Sequence, residues 1–439
     1  MKRLLLITLA LLITVPALAQ QPPSFPDLDQ ARRAAIVDSL TAALDTVYVF
    51  PDVATEMVTD VRRKLADGEY DDITDVAAFA DRLTEDFRAI SHDLHLRVGA
   101  GPLPEPELAE DPELAMQRER EYNQRQNYEF QVAKRLPGNV GYLRFDGFSG
   151  DPEAGATAVA AMNFLGHCDA LIIDLTHNGG GSPRMIQLLT SYLVEGPTHL
   201  NSFYVRSTDD MMQFWSLPYV PGPSMADIPV YVLTSGNTFS AAEEFTYNLK
   251  NLERATIVGE TTGGGAHPVN RHWFAFPEYQ VTMSLPFGRA INPITGTNWE
   301  GTGIEPHLAC ASDLARDTAY LDALETLEKS ADDPGIKHGL AWARTGLAAK
   351  LEPTTLSKGE LKKFEGDYGP RHITREDEDL FYQRDGRDAM RMIPMGDDTF
   401  MVGDLEWFRI RFERDEKDKV VRLVGMYSSG RVDGNDRDQ

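Results

Sequence analysis

Apolar residues recur every three or four positions through the first hundred residues, which predicts a small helical bundle over 20–100. Three successive segments each carry one apolar face: Ile36, Leu40, Leu44 and Val47; Met57, Val61 and Leu65; Val76, Phe79, Leu83, Phe87 and Ile90. Pro51 is expected to end the first helix, and Thr74 is the predicted N-cap of the third. Over residues 91–98 the helical period changes to a strand-like alternation, so the bundle runs directly into a strand.

From residue 138 onward, short apolar runs alternate with amphipathic segments, which is typical of an α/β domain. The runs predict strands and the segments between them predict helices: strands at 140–145, 170–175 and 228–234; helices at 154–165, 183–194 and 241–250. A β-hairpin is predicted over 271–285, and Ala-rich helices over 312–351 are expected to pack back on the core. We therefore assign an α/β core to residues 138–351.

Near the end of the chain the pattern changes to short strands separated by turn residues. This predicts a small antiparallel, barrel-like β domain over 352–431. Residues 101–137 are rich in proline and charged residues, and we interpret them as a linker with one polar helix at 113–131. The polar tail, 432–439, is predicted to be disordered.

The first nineteen residues have the three parts of a secretory signal. Basic residues stand at positions 2 and 3, an apolar run covers 4–15, and a small-residue cleavage pattern occupies 17–19. The mature chain is thus predicted to begin at Gln20 and to be periplasmic or secreted. No later stretch is apolar enough to cross a bilayer, so no stable membrane span is expected.

Charge and cysteine content exclude several classes of protein. Lysine and arginine number 43 against 68 aspartate and glutamate residues, a net charge of −25. Such acidity argues against nucleic acid and anionic membrane surfaces as partners. The two cysteines, Cys168 and Cys310, are too few for a disulfide scaffold, and the sequence allows them either to pair or to remain free.

A serine stands at a strand-to-helix turn within residues 234–244. Ser240 follows a sharp turn through Gly236 and Asn237 and opens the predicted helix. There it would lie beside unpaired backbone N–H groups and the positive end of the helix dipole, where an acyl-transfer nucleophile would need its oxyanion held. The run from Ser240 to Glu243 is also an ordinary capping box, so both interpretations stay open on this motif alone.

Three further features have both chemical and structural interpretations. The glycine-rich turn at 177–182 could hold a phosphate or an oxyanion, although GxGxxG and P-loop signatures are absent. His92 and His95 could be packed or solvated side chains, metal ligands, or a general base, and no HExxH motif is present. Glu300, by itself, is an acid in a turn.

In combination, four motifs occur in the order found in one family of peptidases: Asp93-Leu-His95; Asp174-Leu-Thr-His-Asn-Gly-Gly-Gly181; residues 234–244; Asn298-Trp-Glu-Gly-Thr-Gly303 with Pro306. Over 138–314 the chain resembles the serine peptidases that include the carboxyl-terminal processing (tail-specific) proteases and the tricorn core protease. It is most similar to their interphotoreceptor retinoid-binding protein-like branch, whose N-terminal domain the helical region also resembles. The resemblance implies a crotonase/ClpP-like α/β catalytic core.

The same resemblance implies roles for individual residues. Ser240 would be the nucleophile, and the backbone N–H groups of Ala241 and of Gly179 or Gly180 would form the oxyanion hole. A second glycine-rich turn lies within residues 256–267. Tail-specific members carry a lysine base in this turn, where this chain has Gly265. A serine–lysine dyad therefore does not fit this sequence.

The tricorn-like arrangement instead implies a histidine base oriented by a glutamate, which corresponds to His95 and Glu300. His92 is the reserve base, because it follows Ser91 as the base of tricorn-like members follows a serine. We prefer His95, since the apolar alternation after it matches the strand that follows the base. The resemblance implies neither a metal nor a cofactor.

The sequence thus predicts an exported serine endopeptidase that hydrolyses peptides or unfolded proteins through an acyl-enzyme. Residues 100–137 lack the pattern of the PDZ domain that tail-specific members use to read a substrate carboxyl terminus. The β domain at 352–431 resembles a lipocalin-like module. The alternative hypothesis is a non-catalytic carrier of hydrophobic small molecules, such as retinoids or fatty acids, on the same fold.

Overall fold

The computed structural model describes residues 25, 27–103 and 112–438. The predicted signal segment and its cleavage pattern at 17–19 lie outside these residues. Within the described part, no helix is long and apolar enough to cross a membrane. Both cysteines are free, Cys168 in the interior and Cys310 half-buried.

The N-terminal region is the predicted helical bundle, built from α1 (Gln30–Val47), α2 (Pro51–Ala66) and α3 (Val76–Ser91). Pro51 is the first residue of α2, directly after the break that it was expected to cause. The N-cap of α3 is Asp75, whose carboxylate accepts the Ala78 N–H at 2.8 Å, so the prediction of Thr74 was wrong by one residue. An aspartate caps a helix as well as a threonine does.

A three-stranded sheet closes the core of this bundle. It has the antiparallel order β1–β10–β9, where β1 is Arg97–Gly101, β9 is Val269–Ala275 and β10 is Gln280–Pro286. The buried side chains of β10 belong to the same apolar cluster as those of the three helices. The predicted hairpin therefore packs against the N-terminal helices. This pairing brings the chain just before β1 beside the chain just before β9.

The α/β core contains a six-stranded sheet of order β12–β8–β7–β4–β3–β2, in which only β2 is antiparallel. Its strands are β2 (Phe130–Leu136), β3 (Val140–Phe145), β4 (Ala170–Asp174), β7 (Val230–Thr234), β8 (Thr256–Gly259) and β12 (Leu308–Ala309). One face packs on α5 (Ala154–Leu165), α6 (Pro183–Thr190) and α7 (Ala241–Asn251). The other packs on α8 (Ala315–Ser330) and α9 (Pro334–Leu351). Both faces are covered, which accounts for the apolar runs in the parallel strands.

Two parts of this region differ from the sequence prediction. The polar helix of the linker, α4, spans Pro112–Arg125 and ends well before residue 131. Residues 130–136 form β2, so the end of the predicted linker belongs to the core sheet. A second small sheet, β11–β5–β6, was not predicted; it consists of β5 (His199–Val205), β6 (Asp210–Trp215) and β11 (Gly288–Ile291).

The C-terminal domain is an eight-stranded antiparallel meander preceded by α10 (Lys358–Phe364). Its strands, in spatial and chain order, are β13 (Gly366–Tyr368), β14 (Arg371–Glu376), β15 (Asp379–Arg384), β16 (Met390–Gly396), β17 (Thr399–Val402), β18 (Phe408–Arg414), β19 (Val420–Tyr427) and β20 (Val432–Asp436). Asp438 donates its N–H to the Asp367 carbonyl at 2.8 Å, so the sheet nearly closes into a barrel. The predicted disordered tail was wrong at β20, because backbone pairing with β19 orders a polar strand.

Candidate active site

Ser240 lies at the tip of α7, at the end of a turn that leaves β7. The turn is fastened to the exit of β4, because Ser235 Oγ donates to the Thr176 carbonyl at 2.6 Å and Thr238 Oγ1 to the Leu175 carbonyl at 2.8 Å. Ser240 itself has φ 55° and ψ −118°. A non-glycine residue with this backbone is strained, and such strain persists where the surroundings fix it, often at functional sites.

The first glycine-rich turn packs directly against the serine. A Cβ at Gly180 would stand 2.8 Å from Ser240 Cβ and 2.9 Å from the Ala241 nitrogen, and φ there is +109°. Only glycine allows both the backbone conformation and this approach. The Ala241 amide has no hydrogen-bond acceptor among the described residues, as expected of an oxyanion donor.

The amides of this turn are not equivalent. Gly180 donates its N–H to Asn178 Oδ1 at 2.9 Å, so this predicted oxyanion donor is already engaged. Gly179 is exposed and has no such acceptor within the described chain. Gly181, the last glycine of the turn, lines the same cavity as Ser240.

Glu243 joins the tip of α7 to the second glycine-rich turn. Its buried carboxylate accepts four hydrogen bonds: from the N–H groups of Ser240 (2.9 Å), Gly264 (2.7 Å) and Gly265 (2.8 Å), and from the Thr262 hydroxyl (2.5 Å). Burial raises the pKa of Glu243, and these hydrogen bonds oppose the shift. The capping interpretation of the motif is thus correct, since both halves of the Ser240–Glu243 capping box are present.

His95 precedes β1 and lies against the second glycine-rich turn. Its ring centroid is 4.6 Å from that of Phe239, the residue before Ser240. A Cβ at Gly265 would stand 2.7 Å from His95 Cε1. Both ring nitrogens are buried without a hydrogen-bond partner among the described residues. This burial lowers the pKa of His95 to about 4.

The reserve base is placed elsewhere. His92 is exposed at the C-terminal end of α3, where it adopts a left-handed conformation with φ 55°. Ser91, the last residue of α3, accepts the Asp93 N–H at 3.2 Å. Of the two predicted histidines, only His95 is turned toward the residues around Ser240.

Glu300 reaches the same region because its turn is bonded to the second glycine-rich turn. Trp299 Nε1 donates to the Gly265 carbonyl at 2.7 Å, and Ala266 N–H donates to Glu300 Oε2 at 2.5 Å. The other carboxylate oxygen is buried without a partner in the described chain. Burial is the main cause that raises the pKa of Glu300 to about 7. One carboxylate oxygen each of Asp93 and Glu300 and one ring nitrogen of His95 all lie within 4.8 Å of one another.

A second imidazole, which the sequence analysis did not single out, completes this cluster. His267 is buried, with Nδ1 2.6 Å from Asp93 Oδ2 and 3.5 Å from Glu300 Oε2. Asp93 also accepts hydrogen bonds from the backbone N–H of His95 at 3.0 Å and from the Tyr48 hydroxyl at 3.3 Å. Asp93 stands beside His95 in the first motif and His267 follows the second glycine-rich turn, but nothing in the sequence showed that these two segments meet.

This arrangement can perform acyl transfer. It combines a hydroxyl on a strained turn, a free amide beside it, and imidazole and carboxylate groups in a buried cluster nearby. The side chains of Asp93, His95 and Glu300 are also close enough together to ligate one divalent cation. However, Asp93 already accepts hydrogen bonds from three groups, and the absence of a metal stays a prediction.

Comparison with known proteins agrees with these observations. The sequence model of peptidase family S41 matches residues 139–310, and the model of the N-terminal domain of peptidase S41 in eukaryotic IRBP matches residues 29–134. Together they cover more than half of the chain.

Solved structures are partly similar. A candidate peptidase from Parabacteroides merdae ATCC 43184 is 17% identical, with TM-score 0.48, over 68% of this chain and 99% of that one. The photosystem II D1 C-terminal processing protease is 20% identical, with TM-score 0.32, over 40% and 43%. The tricorn protease is 12% identical, with TM-score 0.41, over 73% and 37%. The family assignment rests on the sequence models.

The mixed α/β core and the family matches define a serine-type peptidase. The chain belongs to peptidase family S41. This confirms the family resemblance and the fold class expected from the sequence. The lipocalin-like resemblance of the C-terminal domain stays a prediction, although its barrel-like form is confirmed.

Proposed function

We propose that this protein is an exported serine endopeptidase in which Ser240 is the nucleophile, His95 the general base and Glu300 the carboxylate that orients it. The observation that carries the proposal is the placement of the His95 ring against Gly265 and Phe239. In tail-specific members the base is a lysine at the position of Gly265. Here a side chain at 265 would collide with the imidazole, so His95 occupies the space that such a base would use.

The expected reaction follows from these positions. His95 takes the proton from the Ser240 hydroxyl as its oxygen attacks the scissile carbonyl carbon. The Ala241 N–H, with an amide of the 179–181 turn, stabilises the oxyanion that forms. His95 then gives its proton to the leaving amine, which leaves an acyl-enzyme on Ser240. A water molecule, deprotonated by the same imidazole, hydrolyses this ester and restores the serine.

The electrostatics support a base that is neutral before the reaction. The lowered pKa of His95 keeps its imidazole unprotonated, and therefore able to accept a proton, at neutral pH. Ionised Glu300 would stabilise the imidazolium as it forms. We assign His267 a positioning role, because its Nδ1 lies between the carboxylates of Asp93 and Glu300.

Covalent labelling tests the assignment of the nucleophile. A fluorophosphonate probe should add one label to the wild-type protein, on the peptide that contains Ser240, and none to Ser240→Ala. Ser235→Ala is the matched control, because Ser235 lies in the same turn but its hydroxyl is bonded to the backbone. No labelling of the wild type, together with tight binding of a retinoid or fatty acid, would instead support the carrier hypothesis.

Export is a separate part of the proposal and rests on the signal pattern at 1–19. Expression of the full chain in a two-membrane bacterium should yield a periplasmic protein whose N-terminus is Gln20. A cytoplasmic protein that retains residue 1 would contradict it.

A further inference from the structure

A cavity of about 320 Å³ opens beside Ser240 and runs between α7 and the small sheet β11–β5–β6. Part of its lining comes from the nucleophile region, namely Ser240, Ala241 and Gly181. The walls are mainly large apolar side chains: Phe203, Val205, Met212, Phe214 and Trp299. Its volume is at the lower end of the range of ligand pockets and suits a single long side chain.

An acidic residue interrupts this apolar lining. Glu244 lies one turn along α7 from Ala241, on the same helix face, and lines the cavity while only 4% exposed. Among the described residues, no lysine, arginine or histidine forms an ion pair with it. Burial raises the pKa of Glu244 to about 7, and Asn201 is the one side chain that opposes the shift. A buried carboxyl without a cationic partner is costly, which makes it a candidate for a functional role.

A second buried polar group faces the same place. Side chains alternate along β5, so Asn201 lies on the same strand face as Phe203 and Val205, both of which line the cavity. Asn201 is fully buried, and neither its amide nitrogen nor its oxygen has a hydrogen-bond partner within the described chain. Buried polar atoms are nearly always paired, so this amide beside a buried carboxyl that has no cationic partner points to a ligand.

We propose that this cavity binds the substrate side chain that precedes the scissile bond and that Glu244 selects lysine or arginine there. The inference rests on the proposed function, because it takes Ser240 as the nucleophile. When the attacked carbon is at Ser240 and its oxygen at the Ala241 amide, the α-carbon on the acyl side is one bond away. The side chain on that α-carbon is therefore the one that enters the cavity.

The chemistry of the cavity matches these two residues. The aliphatic stem of lysine or arginine would lie along Phe203, Val205 and Trp299, and its cationic tip would reach the carboxylate of Glu244. The Asn201 amide oxygen could accept a further N–H from the same tip. A purely apolar side chain would fill the walls but leave the buried Glu244 carboxyl without a cationic partner, which specificity pockets penalise strongly.

Paired substrates test the proposal. Capped peptides that differ only in arginine or citrulline before the scissile bond have nearly the same shape, but citrulline has no charge. We expect the wild type to favour arginine by roughly 30-fold or more in kcat/KM, and Glu244→Gln to bring this ratio close to one. Glu253→Gln removes an exposed acid just beyond α7 and should keep the wild-type ratio. Faster cleavage after leucine or phenylalanine, or an unchanged ratio in Glu244→Gln, would overturn the proposal.

A binding measurement separates this inference from the proposed function. Calorimetry on Ser240→Ala, which requires no catalysis, should show that N-acetyl-arginine amide binds more tightly than its citrulline analogue. The difference should vanish in the double variant with Glu244→Gln. If the wild type fails to react with the fluorophosphonate but this difference is seen, the assignment of the nucleophile is wrong and the assignment of a cation-binding pocket stands. Equal binding of the two amides overturns the pocket, whatever the labelling result.

Discussion

The second glycine-rich turn has two sides whose buried polar groups differ sharply. On one side, Glu243 accepts four hydrogen bonds, two of them from amides of the turn. On the other side, both nitrogens of His95 and one oxygen of Glu300 have no partner among the described residues. Paired groups of the first kind hold a structure together, whereas unpaired groups of the second kind are available for chemistry. One short turn thus separates a structural acid from a reactive cluster.

Removing the nucleophile should give the largest effect and leave the structural side intact. Ser240→Ala is expected to lower kcat by on the order of a million-fold, because the acyl-enzyme can no longer form. Loss of an N-capping hydroxyl costs about 1 kcal/mol, so the free energy of unfolding should fall by no more than about that amount. Peptide hydrolysis and urea denaturation measure the two quantities. Appreciable residual turnover would place the nucleophile elsewhere.

Removing the structural acid, Glu243, should instead destabilise the fold. Glu243→Ala leaves four buried donors unpaired and is expected to reduce the free energy of unfolding by roughly 3–5 kcal/mol. Urea denaturation checks this, with Glu253→Ala as the exposed control. A loss below about 1 kcal/mol would show that the Glu243 network does not hold the turn, and the contrast between the two sides would disappear.

The activity of the reactive cluster should depend on pH through Glu300. Its pKa of about 7 means that the carboxylate is protonated below that pH, so kcat/KM should fall about tenfold per pH unit on the acidic side. Glu300→Gln should lower the activity and remove this pH dependence. A wild-type profile that stays flat between pH 5 and 7 would contradict the role of Glu300.

Stability should show the same titration with a defined sign. The folded-state pKa of Glu300 is raised from 4.5, so the folded protein binds this proton more tightly than the unfolded chain does. Its contribution to the free energy of unfolding is therefore present below pH 4.5 and is lost as the pH rises to about 7, by up to about 3 kcal/mol. Denaturation at several pH values, with Glu300→Gln compared with wild type, isolates this contribution.

The smallest expected effect comes from the turn itself. In Gly265→Ala the new methyl group would stand 2.7 Å from His95 and 2.2 Å from the Phe239 ring, so the imidazole must move. We expect kcat to fall roughly a hundredfold, as for a displacement of about 1 Å of a catalytic group. Gly236→Ala, where the added methyl meets no atom, is the matched control. Full activity of Gly265→Ala would show that His95 takes no part in the reaction.

Local pattern predicted much of this molecule. The helical faces, the buried parallel strands and the strand–turn–helix around Ser240 all follow from residue spacing, and the structure has them. The motifs also pointed to the segments that carry Ser240, His95 and Glu300. Long-range pairing was much less predictable: nothing in residues 97–101 indicates that they pair with β10, and this pairing is what brings Asp93 to His267.

Polar strands were the other source of error. The strand at 432–436 contains two aspartates and an asparagine, so its composition suggested disorder, yet its backbone pairs with β19. The small sheet that forms one wall of the cavity was missed for a related reason, since Asn201 and Ser202 interrupt the apolar pattern of β5. Glu244 was given no role from the sequence, and the structure buries it in the cavity wall.

The rate of fluorophosphonate labelling at Ser240 in His95→Gln and His267→Gln tests the central claim most directly. Two imidazoles lie in the reactive cluster, and only the base should control how fast the serine reacts. We expect His95→Gln to label at least about a thousandfold more slowly than wild type, and His267→Gln to keep a readily measurable rate. Wild-type labelling in His95→Gln, with the loss found in His267→Gln instead, would contradict the claim and make the Asp93–His267 pair the base.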